Sequence, residues 1–378
     1  MQAVVIGGGV AGSASAIALA RIGAEVTVYE AYEDPAGPVG SYVSLAVNGL
    51  RALAALGCLE QVQRTGFPVA RQLMWSGRGK LLGDVARGRS PRDTPHSVTL
   101  MRADLVTALR EEARRCGARI VTGRRLAGRQ DPLTADADLI VGADGIWSAI
   151  RRELDPAAPQ PGYAKISYVS GFSDGGSVRT EISRQGFNWI FAKHGVFTYL
   201  PAPDGSIWWT AQVASATPPA DLAAVSLADL AELFSTEPQA AAVLQAATAV
   251  HAATIGYVLA PVSRRHDSHA VLIGDAAHPV GAGQGASMAV EDAVVLAREL
   301  AGASSIPAGL AAFDRRRKPR SGKLAKTEAA NRDAKTAGPV ASRMRELIMP
   351  HVFNHFYEKA TSWLYEYDPG SLPARQPR

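Results

Sequence analysis

The sequence of 378 residues predicts an α/β fold with a parallel sheet, an inserted antiparallel sheet and a C-terminal helical region. A short β-branched run, 4–6, ends in a glycine-rich turn, and small apolar residues at helical spacing follow it. Between 163 and 213 the pattern changes to short alternating strands separated by turn residues. From 323 to 378 apolar residues recur at helical spacings. These patterns predict one sheet built from strand and helix units, with a second sheet inserted into it.

The glycine-rich turn has the GxGxxG spacing of a Rossmann-like dinucleotide site. Gly7 permits the tight turn, Gly9 lets the backbone approach a pyrophosphate, and Gly12 lets the helix pack closely on the strand. The helix that follows presents unpaired N–H groups to an anion. A second strand, 25–29, ends in Glu30, whose carboxylate would accept hydrogen bonds from an adenosine ribose. An acid instead of an arginine here argues against a 2′-phosphate, so the predicted ligand is FAD or NAD. A glycine-rich turn without a ligand is the alternative.

Two later segments favour a flavin at this site. The segment 138–145, DLIVGADG, is a buried strand that ends in an Asp-Gly turn. The segment 270–278, AVLIGDAAH, repeats this plan and places Asp275 at a strand end, where open α/β sheets bind ligands. The glycines at 281–285 precede an apolar-faced helix, and its N-terminus would face the electron-rich edge of an isoalloxazine ring. The sequence therefore predicts bound FAD.

Three motifs, in order, resemble those of the group A flavoprotein monooxygenases, the single-component FAD-dependent aromatic hydroxylases with the p-hydroxybenzoate hydroxylase-like fold. They are GGGVAG with its later Glu30, VGADGIWSAIR, and LIGDAAHPVGAGQGASMAVEDAVVLA. The segments VGSYVSLAVNGLRALAALG, TLMRADLVTALREEA and FDRRRKPR also resemble this family, so the likeness covers nearly the whole chain. The length and the C-terminal YEYDP are similar to the urate and salicylate hydroxylase-like branch.

The resemblance implies which residues hold FAD. Asp275 would bind the ribityl chain, Arg102 would lie along the phosphates or ribityl, and Asp144 would support both FAD and NAD(P)H. A surface arginine at the start of a helix is the alternative for Arg102. The complete set of implied FAD contacts is Gly7, Gly9, Ala11, Gly12, Glu30, Ala31, Ser44, Arg102, Leu126, Asp144, Asp275, Gly285, Ala286, Ser287 and Met288.

The resemblance also implies an NAD(P)H-consuming monooxygenase that hydroxylates an aromatic or polycyclic small molecule. NADPH or NADH would reduce the flavin, and O2 would form a flavin C4a-hydroperoxide that transfers one oxygen atom to an electron-rich ring. Because the sequence has one GxGxxG, the nicotinamide nucleotide has no second Rossmann domain, and a transient visit to a surface groove is implied. The protein would position the substrate and exclude water.

One departure from the family leaves other flavin chemistry open. The family has a proline just ahead of the GQG turn, where a carbonyl lines the oxygen-reacting face of the flavin. Here the loop 278–283 is shorter and has Val280 at that place, and Pro279 is the candidate replacement. The alternatives are a flavin-dependent epoxidase, an oxidase or dehydrogenase on the same scaffold, and a flavin-binding protein with impaired oxygen activation.

The inserted sheet makes the FAD-binding domain discontinuous in sequence. Its predicted strands are 163–172, 180–183, 188–193, 195–200 and 206–213, and a helical region is predicted over 221–250. The predicted domains are an FAD-binding domain of 1–71, 98–160 and 262–322, a substrate domain of 72–97 and 161–261, and C-terminal helices over 323–378.

Aromatic side chains on the inserted sheet suit a planar substrate, and they equally suit packing in a core. They are Trp189, Phe191, Phe197, Tyr199, Trp208 and Trp209. A base would be needed to draw the proton from a phenol. The catalytic candidates are His194, Tyr199 and Pro279, with Arg184 and His278 as further polar candidates.

The substrate prediction depends on one position in this sheet. In the family, the strand that resembles Tyr199-Leu200-Pro201 faces the flavin. Enzymes of this branch often anchor an anionic substrate with an arginine at the place where Val196 stands here. The valine therefore favours a larger, neutral, polycyclic or terpenoid substrate.

Composition argues against several other functions. The net charge of +5 comes from arginines spread along the chain, and the basic run 315–320 lacks interleaved aromatic residues, so nucleic-acid binding is not expected. No run of about 18 apolar residues could cross a bilayer. A membrane-surface anchor is the alternative to C-terminal helices packed on the FAD domain. Cys58 and Cys116 lack metal-ligand spacing, so no metal is expected. A cytoplasmic location is expected, because no leader is recognisable. The expected assembly is a monomer or homodimer.

Overall fold

The computed structural model describes residues 1–33, 42–90, 93–178, 182–279, 283–335 and 339–373. Its strands are β1 Gln2–Ile6, β2 Glu25–Tyr29, β3 Tyr42–Leu45, β4 Phe67–Val69, β5 Arg71–Ser76, β6 Leu81–Ala86, β7 Ser97–Met101, β8 Arg119–Val121, β9 Leu139–Gly142, β10 Gly162–Asp174, β11 Phe187–Ala192, β12 Gly195–Pro201, β13 Ser206–Ala214, β14 Ala247–Val258 and β15 Ala270–Leu272.

Its helices are α1 Val10–Arg21, α2 Val47–Ala55, α3 Leu59–Thr65, α4 Arg102–Arg115, α5 Ala149–Leu154, α6 Leu227–Leu233, α7 Pro238–Gln245, α8 Gly285–Ala301, α9 Ile306–Lys335, α10 Pro339–His355 and α11 Tyr357–Tyr365. None of the helices in the described ranges is both long enough and apolar enough to span a membrane. The combination of a parallel sheet, an inserted sheet and C-terminal helices confirms the predicted fold class.

The parallel sheet has the strand order β15-β9-β1-β2-β8, with β1 at its centre. Val4 of β1 pairs with Thr27 of β2 on one side and with Ile140 of β9 on the other. Both faces are covered, because Val5 packs among residues of α1, α4 and α8 while Val4 packs in a second cluster with α5. A parallel strand buried on both faces has a continuous apolar sequence, as residues 3–6 do.

Two glycines of the first turn have no room for a side chain. Gly7 has a φ of 100°, and a Cβ there would lie 2.3 Å from the carbonyl oxygen of Ala143. A Cβ on Gly12 would lie 1.8 Å from the carbonyl oxygen of Gly7. Backbone therefore packs on backbone where α1 begins, which is the close packing that the GxGxxG spacing predicts.

The inserted sheet has seven strands in the order β14-β10-β13-β12-β11-β5-β6. All its neighbouring strands are antiparallel except β11 and β5, which run parallel. β5 and β6 come from 71–86, far from the other strands in sequence, so the sheet is assembled from two separate parts of the chain. A small sheet of order β3-β7-β4 lies at the junction, because β4 leads into β5 and β7 leads into α4.

The prediction of helix over 221–250 is wrong at its C-terminal end. Helices α6 and α7 lie within this range, but residues 247–258 form β14, which pairs with β10 along most of its length. Alanine favours helix, and here pairing in the sheet overrides that preference. The predicted strand 180–183 lies partly outside the described residues, and 182–183 are not in a strand.

The interface between α8 and α9 contains a buried network of four charged side chains. Glu291 and Asp292 of α8 are fully buried. Arg317 of α9 donates to Glu291 Oε2 at 2.7 Å and to Asp292 Oδ1 at 2.6 Å. Arg320 donates to both oxygens of Glu291 at 2.8 Å. Two positive and two negative charges are thus matched, which is the condition for keeping ionised groups in a core.

Arginines from three helices also hold the C-terminal end of α11 and the segment that follows it. Arg51 of α2 donates to the carbonyl oxygen of Tyr365 at 2.5 Å, and Arg320 donates to that of Leu364 at 2.9 Å. Arg298 of α8 donates to the carbonyl oxygen of Pro369. These contacts fasten the chain after α11 to the FAD-binding part of the molecule.

Candidate active site

A cavity of about 550 Å³ lies between the ends of the parallel strands and one face of the inserted sheet. Its first wall is formed by the glycine-rich turn, Arg102, Asp275 and the beginning of α8. Its second wall is formed by β3 and by side chains of the inserted sheet. Residues of all three predicted FAD motifs and of the predicted substrate sheet therefore line one shared cavity.

The glycine-rich turn presents backbone N–H groups to this cavity. Gly9, Val10 and Ala11 line it, and Gly9 caps α1 without any side chain accepting from the first turn. A Cβ on Gly9 would lie 3.7 Å from Arg102 Nη2, so this arginine reaches over the turn. Free N–H groups, a positive helix end and a guanidinium together fit a pyrophosphate.

Glu30 and Arg110 fix the shape of the turn. The Gly8 N–H donates to Glu30 Oε2 at 2.7 Å, and Arg110 donates to the Gly8 carbonyl oxygen through Nε at 2.9 Å and Nη2 at 2.6 Å. Each carboxylate oxygen has a second lone pair, so Glu30 keeps the capacity to accept from a ribose. The sequence reasoning missed Arg110, which lies on α4 and is distant from the turn in sequence.

The other predicted contacts near the adenosine end are placed as follows. Ala31 is the second residue after β2, and Leu126 is buried beside Val4, Ile6 and Tyr29 in the core. Their contact with the nucleotide stays a prediction.

The second and third motifs are joined by a buried arginine. Asp144 does not line the cavity; its Oδ2 accepts from the N–H groups of Ala149 at 2.7 Å and Ile150 at 3.4 Å, at the beginning of α5. Arg151 is fully buried, and it donates to the carbonyl oxygens of Ile146 and Ala276. Asp144 therefore shapes the loop, while Ala143 and Gly145 beside it face the cavity.

Asp275 is the carboxylate of the third motif, and it faces the cavity beside Arg102. Burial among protein atoms raises the pKa of Asp275, although His278 and Arg102 act in the opposite direction. The side chain has high solvent exposure because it faces open cavity space, so its desolvation by protein alone is incomplete. A hydroxyl donor such as a ribityl chain would satisfy this carboxylate.

The N-terminus of α8 contributes backbone rather than side chains. Gly285 and Ala286 line the cavity, and no side chain caps this helix. The side chain of Ser287 is buried against Gly49, and that of Met288 is buried beside Leu324. The side chains of Ser287 and Met288 point into the core, and the Met288 N–H donates to the Gln284 carbonyl oxygen at 2.9 Å, so contact of these two residues with FAD stays a prediction.

These features together fit FAD. The first wall of the cavity offers two uncapped helix N-termini, the Arg102 guanidinium and the Asp275 carboxylate, which match the phosphates, the ribityl hydroxyls and the electron-rich flavin edge of the cofactor. Ser44 of β3 also lines the cavity, with its hydroxyl hydrogen-bonded to Thr99.

The substrate-facing wall is more polar than the sequence suggested. Thr198, Thr210 and Gln212 line it from β12 and β13, and aromatic side chains complete it. The lining aromatic residues are Tyr42, Tyr168, Phe187, Trp189 and Tyr257. Of the six aromatic candidates on the sheet, Trp189 alone lines this cavity; the others pack elsewhere in the described part of the chain.

Two catalytic candidates lie away from the cavity, and their predicted roles are corrected. Tyr199 is fully buried beside Phe197 and Trp209, on the face of β12 that packs against α6 and α7. Successive strand residues point to opposite faces, so Thr198 takes the place in the cavity that was predicted for Tyr199. His194 sits in the hairpin turn between β11 and β12 and does not line the cavity.

The loop after Asp275 is described in part. Pro279 lines the cavity, whereas Val280 lies outside the described residues. His278 is occupied by the buried charge network, because its Nε2 lies 2.6 Å from Asp292 Oδ2. Burial opposes ionisation of Asp292, but His278 and Arg317 hold its pKa well below the usual range. This pairing leaves His278 poorly placed to act as a base toward a substrate.

The cavity is also lined by an arginine that the sequence reasoning missed. Arg87 lies just after β6, donates to Gln72 Oε1 at 2.5 Å and stacks 3.5 Å from the centroid of the Phe187 ring. The sequence analysis looked for a substrate-binding arginine only on the strand that contains Val196, which is β12. The structure brings Arg87 to the cavity from another part of the chain, so the valine at 196 does not leave the cavity wall without an arginine, and the neutral substrate stays a prediction.

Known proteins agree with the fold and the motifs. A family model described as FAD binding domain matches residues 1–328. Kynurenine 3-monooxygenase of Salinispora arenicola is 28% identical over 87% of this chain and 79% of its own length. The enzyme of the same name from Stenotrophomonas maltophilia is 31% identical over 83% of this chain and 75% of its own length.

A solved structure gives the same fold. Klebsiella pneumoniae HpxO complexed with FAD and uric acid superposes with a TM-score of 0.82 at 22% identity, covering 99% of this chain and 98% of that chain. The family match over most of the chain, the relatives and the site geometry agree with one another. The chain belongs to the FAD-binding-domain family and, within it, to the group A flavin monooxygenases, and it is an FAD-dependent monooxygenase.

Proposed function

We propose that this enzyme hydroxylates a small planar aromatic compound and takes its electrons from NADH or NADPH. The observation that carries the proposal is the single cavity, in which the FAD-binding turns face Thr198, Gln212 and Trp189 of the inserted sheet. A substrate on that sheet would lie directly against the flavin. The positions of the substrate and of the nicotinamide nucleotide are parts of this proposal.

The residues of the first wall bind and orient the cofactor. Bound FAD supplies the activation of O2 and the transfer of one oxygen atom. The N–H groups of Gly9 to Ala11 and the Arg102 guanidinium would hold the phosphates, and Asp275 would accept from the ribityl hydroxyls. The N-terminus of α8 would stabilise negative charge on the adjacent flavin edge. The chain thereby fixes one face of the reaction site.

The residues of the second wall orient the substrate and exclude water. Trp189 and Tyr168 offer flat apolar surfaces to a ring. Thr198 donates to the Thr210 carbonyl oxygen at 3.2 Å, so its hydroxyl oxygen is left able to accept from a ring hydroxyl. Tyr42 lies 3.4 Å from the Thr198 hydroxyl and links this wall to β3. A ring hydroxyl would donate a hydrogen bond to the Thr198 oxygen, and neither His194 nor Tyr199 reaches the cavity to act as a base.

The relatives support the substrate class. Kynurenine 3-monooxygenase is named for an aromatic compound, and the superposed HpxO structure holds uric acid, another planar ring system. The cavity described here has flat aromatic side chains on the wall of the inserted sheet, which suit a compound of that kind.

Flavin reduction tests the proposal most directly. The purified holoenzyme is mixed with NADH or NADPH and a panel of hydroxylated and carboxylated aromatic compounds, and bleaching of the flavin absorbance is followed together with O2 uptake. We expect at least one aromatic compound to accelerate reduction and to gain one oxygen atom from isotopically labelled O2. An enzyme that reduces its flavin equally fast with and without every aromatic compound, and that releases only hydrogen peroxide, would contradict the proposal and favour an oxidase.

A further inference from the structure

Arg87 enters the cavity with its guanidinium partly unsatisfied. Its Nη1 donates to Gln72, its Nε lies 3.4 Å from the Ser44 hydroxyl, and one face of the group covers the Phe187 ring. Among the described residues, Nη2 of Arg87 has no hydrogen-bond acceptor. The group is thus held firmly by neutral partners on several sides while part of its donor edge is left unused.

No carboxylate of the described chain pairs with this cation. Its ionisable neighbours are Tyr42, Tyr357 and Tyr365, which are neutral phenols at neutral pH. Burial lowers the pKa of Arg87, but arginine stays protonated in proteins. A desolvated cation without a counter-ion is costly, so the arrangement favours an anionic ligand.

The other charged side chains of the cavity differ from Arg87 in having an opposite charge nearby. The charged side chains that line it within the described ranges are Arg87, Arg102 and Asp275. Arg102 has Asp275 as an opposite charge and lies beside the glycine-rich turn, where the cofactor phosphates belong. Arg87 lies on the side of β3 and the inserted sheet, beside Phe187. Within the described residues Arg87 therefore has no anion of its own, which leaves its charge open to an anionic ligand.

We infer that Arg87 binds a carboxylate on the aromatic substrate, so that the substrate class is aromatic acids; this inference rests on the proposed function. A planar guanidinium presents parallel donors to the two oxygens of a carboxylate. Stacking on Phe187 fixes the plane of the fork. A carboxylate held there would leave the attached ring against Trp189 and Thr198, on the wall that faces the FAD-binding turns.

The test measures ligand binding and requires no turnover. Oxidised holoenzyme is titrated with benzoate and 2-naphthoate and with their neutral amides, and binding is followed by the change in flavin absorbance and by calorimetry. Wild-type enzyme is compared with Arg87→Gln, with Arg87→Lys, and with the control Arg89→Gln, which alters an arginine of the same connection that does not line the cavity. FAD content is measured for each protein.

We expect wild-type enzyme to bind a carboxylate more tightly than its amide. Arg87→Gln should weaken carboxylate binding by about 10- to 100-fold and leave amide binding and FAD content unchanged, since charge-assisted hydrogen bonds are lost. Arg87→Lys should retain part of the preference, and Arg89→Gln should retain all of it. The inference is overturned if wild-type enzyme binds no carboxylate of the panel or binds acids and amides equally. It is also overturned if Arg87→Gln loses FAD rather than carboxylate affinity.

The preference of wild-type enzyme for carboxylates over amides can be measured whether or not the variants fold. Competition by nitrate is a second measurement on wild-type enzyme. Nitrate should compete with benzoate and not with benzamide. If carboxylates bind as expected and no aromatic compound is hydroxylated, the anion site stands and the proposed hydroxylase function fails. If amides are bound and hydroxylated while acids are not, the hydroxylase function stands and the anion site fails.

Discussion

Arg317 and Arg87 are both arginines surrounded by protein, and they differ in what surrounds them. Arg317 is fully buried between α8 and α9 and donates to two carboxylates. Arg87 faces the cavity and meets amide, hydroxyl and aromatic groups. In the first region the folded chain completes the charge pairs, and in the second it leaves a positive charge for a ligand.

The difference separates charges that stabilise the fold from charges that bind. The pairs around Arg317 raise its pKa despite its burial, whereas burial lowers the pKa of Arg87. A residue of the first kind is needed in the empty protein. A residue of the second kind is unfavourable in the empty protein and becomes favourable when a ligand arrives, which is the usual relation between stability and function at a binding site.

The largest expected effect is that of Arg317→Met. The substitution leaves Glu291 and Asp292 buried with one guanidinium fewer, and it should lower the free energy of unfolding by about 3–5 kcal/mol. Urea unfolding of the FAD-free protein measures this loss. The control is Arg316→Met, whose side chain is about half exposed (49%), and it should change stability by less than about 1 kcal/mol. Equal losses of unfolding free energy in the two variants would show that the buried ion pairs contribute no more to stability than the exposed one.

Arg87→Met, unlike Arg317→Met, should not lower the free energy of unfolding. Removal of an unpaired cation should leave the FAD-free protein as stable as wild type, or more stable by about 1 kcal/mol. The same urea titration measures this, and the methionine keeps much of the apolar contact with Phe187. A loss as large as that of Arg317→Met would mean that Arg87 is a structural residue and would end the contrast between the regions.

Asp275→Asn should give the smallest effect and a defined pH dependence. The pKa of Asp275 is raised in the folded protein, so protonation favours the fold: the contribution is present below the ordinary aspartate pKa of about 3.9 and is lost as pH rises through the folded value. Asparagine stays neutral, and the variant without FAD should melt on the order of 2 °C higher at neutral pH, a shift kept small by cavity solvent. The difference should vanish in acid.

The control for this prediction is Asp267→Asn. Backbone N–H groups of His269 and Ala270 lower the pKa of Asp267 against the effect of burial. Its neutralisation should therefore lower the melting temperature at neutral pH. A lower melting temperature for both variants would show that Asp275, too, is stabilised as a carboxylate.

The FAD-binding turns were predictable because their chemistry is local. Gly7, Gly12 and Glu30 lie within one strand-helix-strand unit, and backbone geometry alone decides why glycine is needed at the first two. The family resemblance then extended these turns to Arg102 and Asp275, which do line the cavity. Arg110, which holds the same turn from α4, leaves no local signal.

The strands of the inserted sheet could be predicted, but which side of each strand faces the cavity could not. Residues 195–200 of β12 are all buried, so no alternation of polar and apolar residues indicates which side faces the cavity. Tyr199 was consequently predicted to face the cavity, where Thr198 lies in the structure. Arg87 was missed because it reaches the cavity through the pairing of β5 with β11, strands more than a hundred residues apart. The adjacent acids Glu291 and Asp292 within an apolar helix were a signal of the buried network that could have been used.

The attachment of residues 364–369, at the end of α11 and just after it, has a consequence for how freely their sequence can vary. Arg51, Arg298 and Arg320 hold it by carbonyl oxygens of the main chain. Every amino acid carries that oxygen, so exchange of a side chain between 364 and 369 removes none of these three bonds. Loss of any one arginine removes a bond that no substitution in the segment can restore. The position of residues 364–369 therefore depends on arginine side chains of three other helices and not on the side chains of the segment itself.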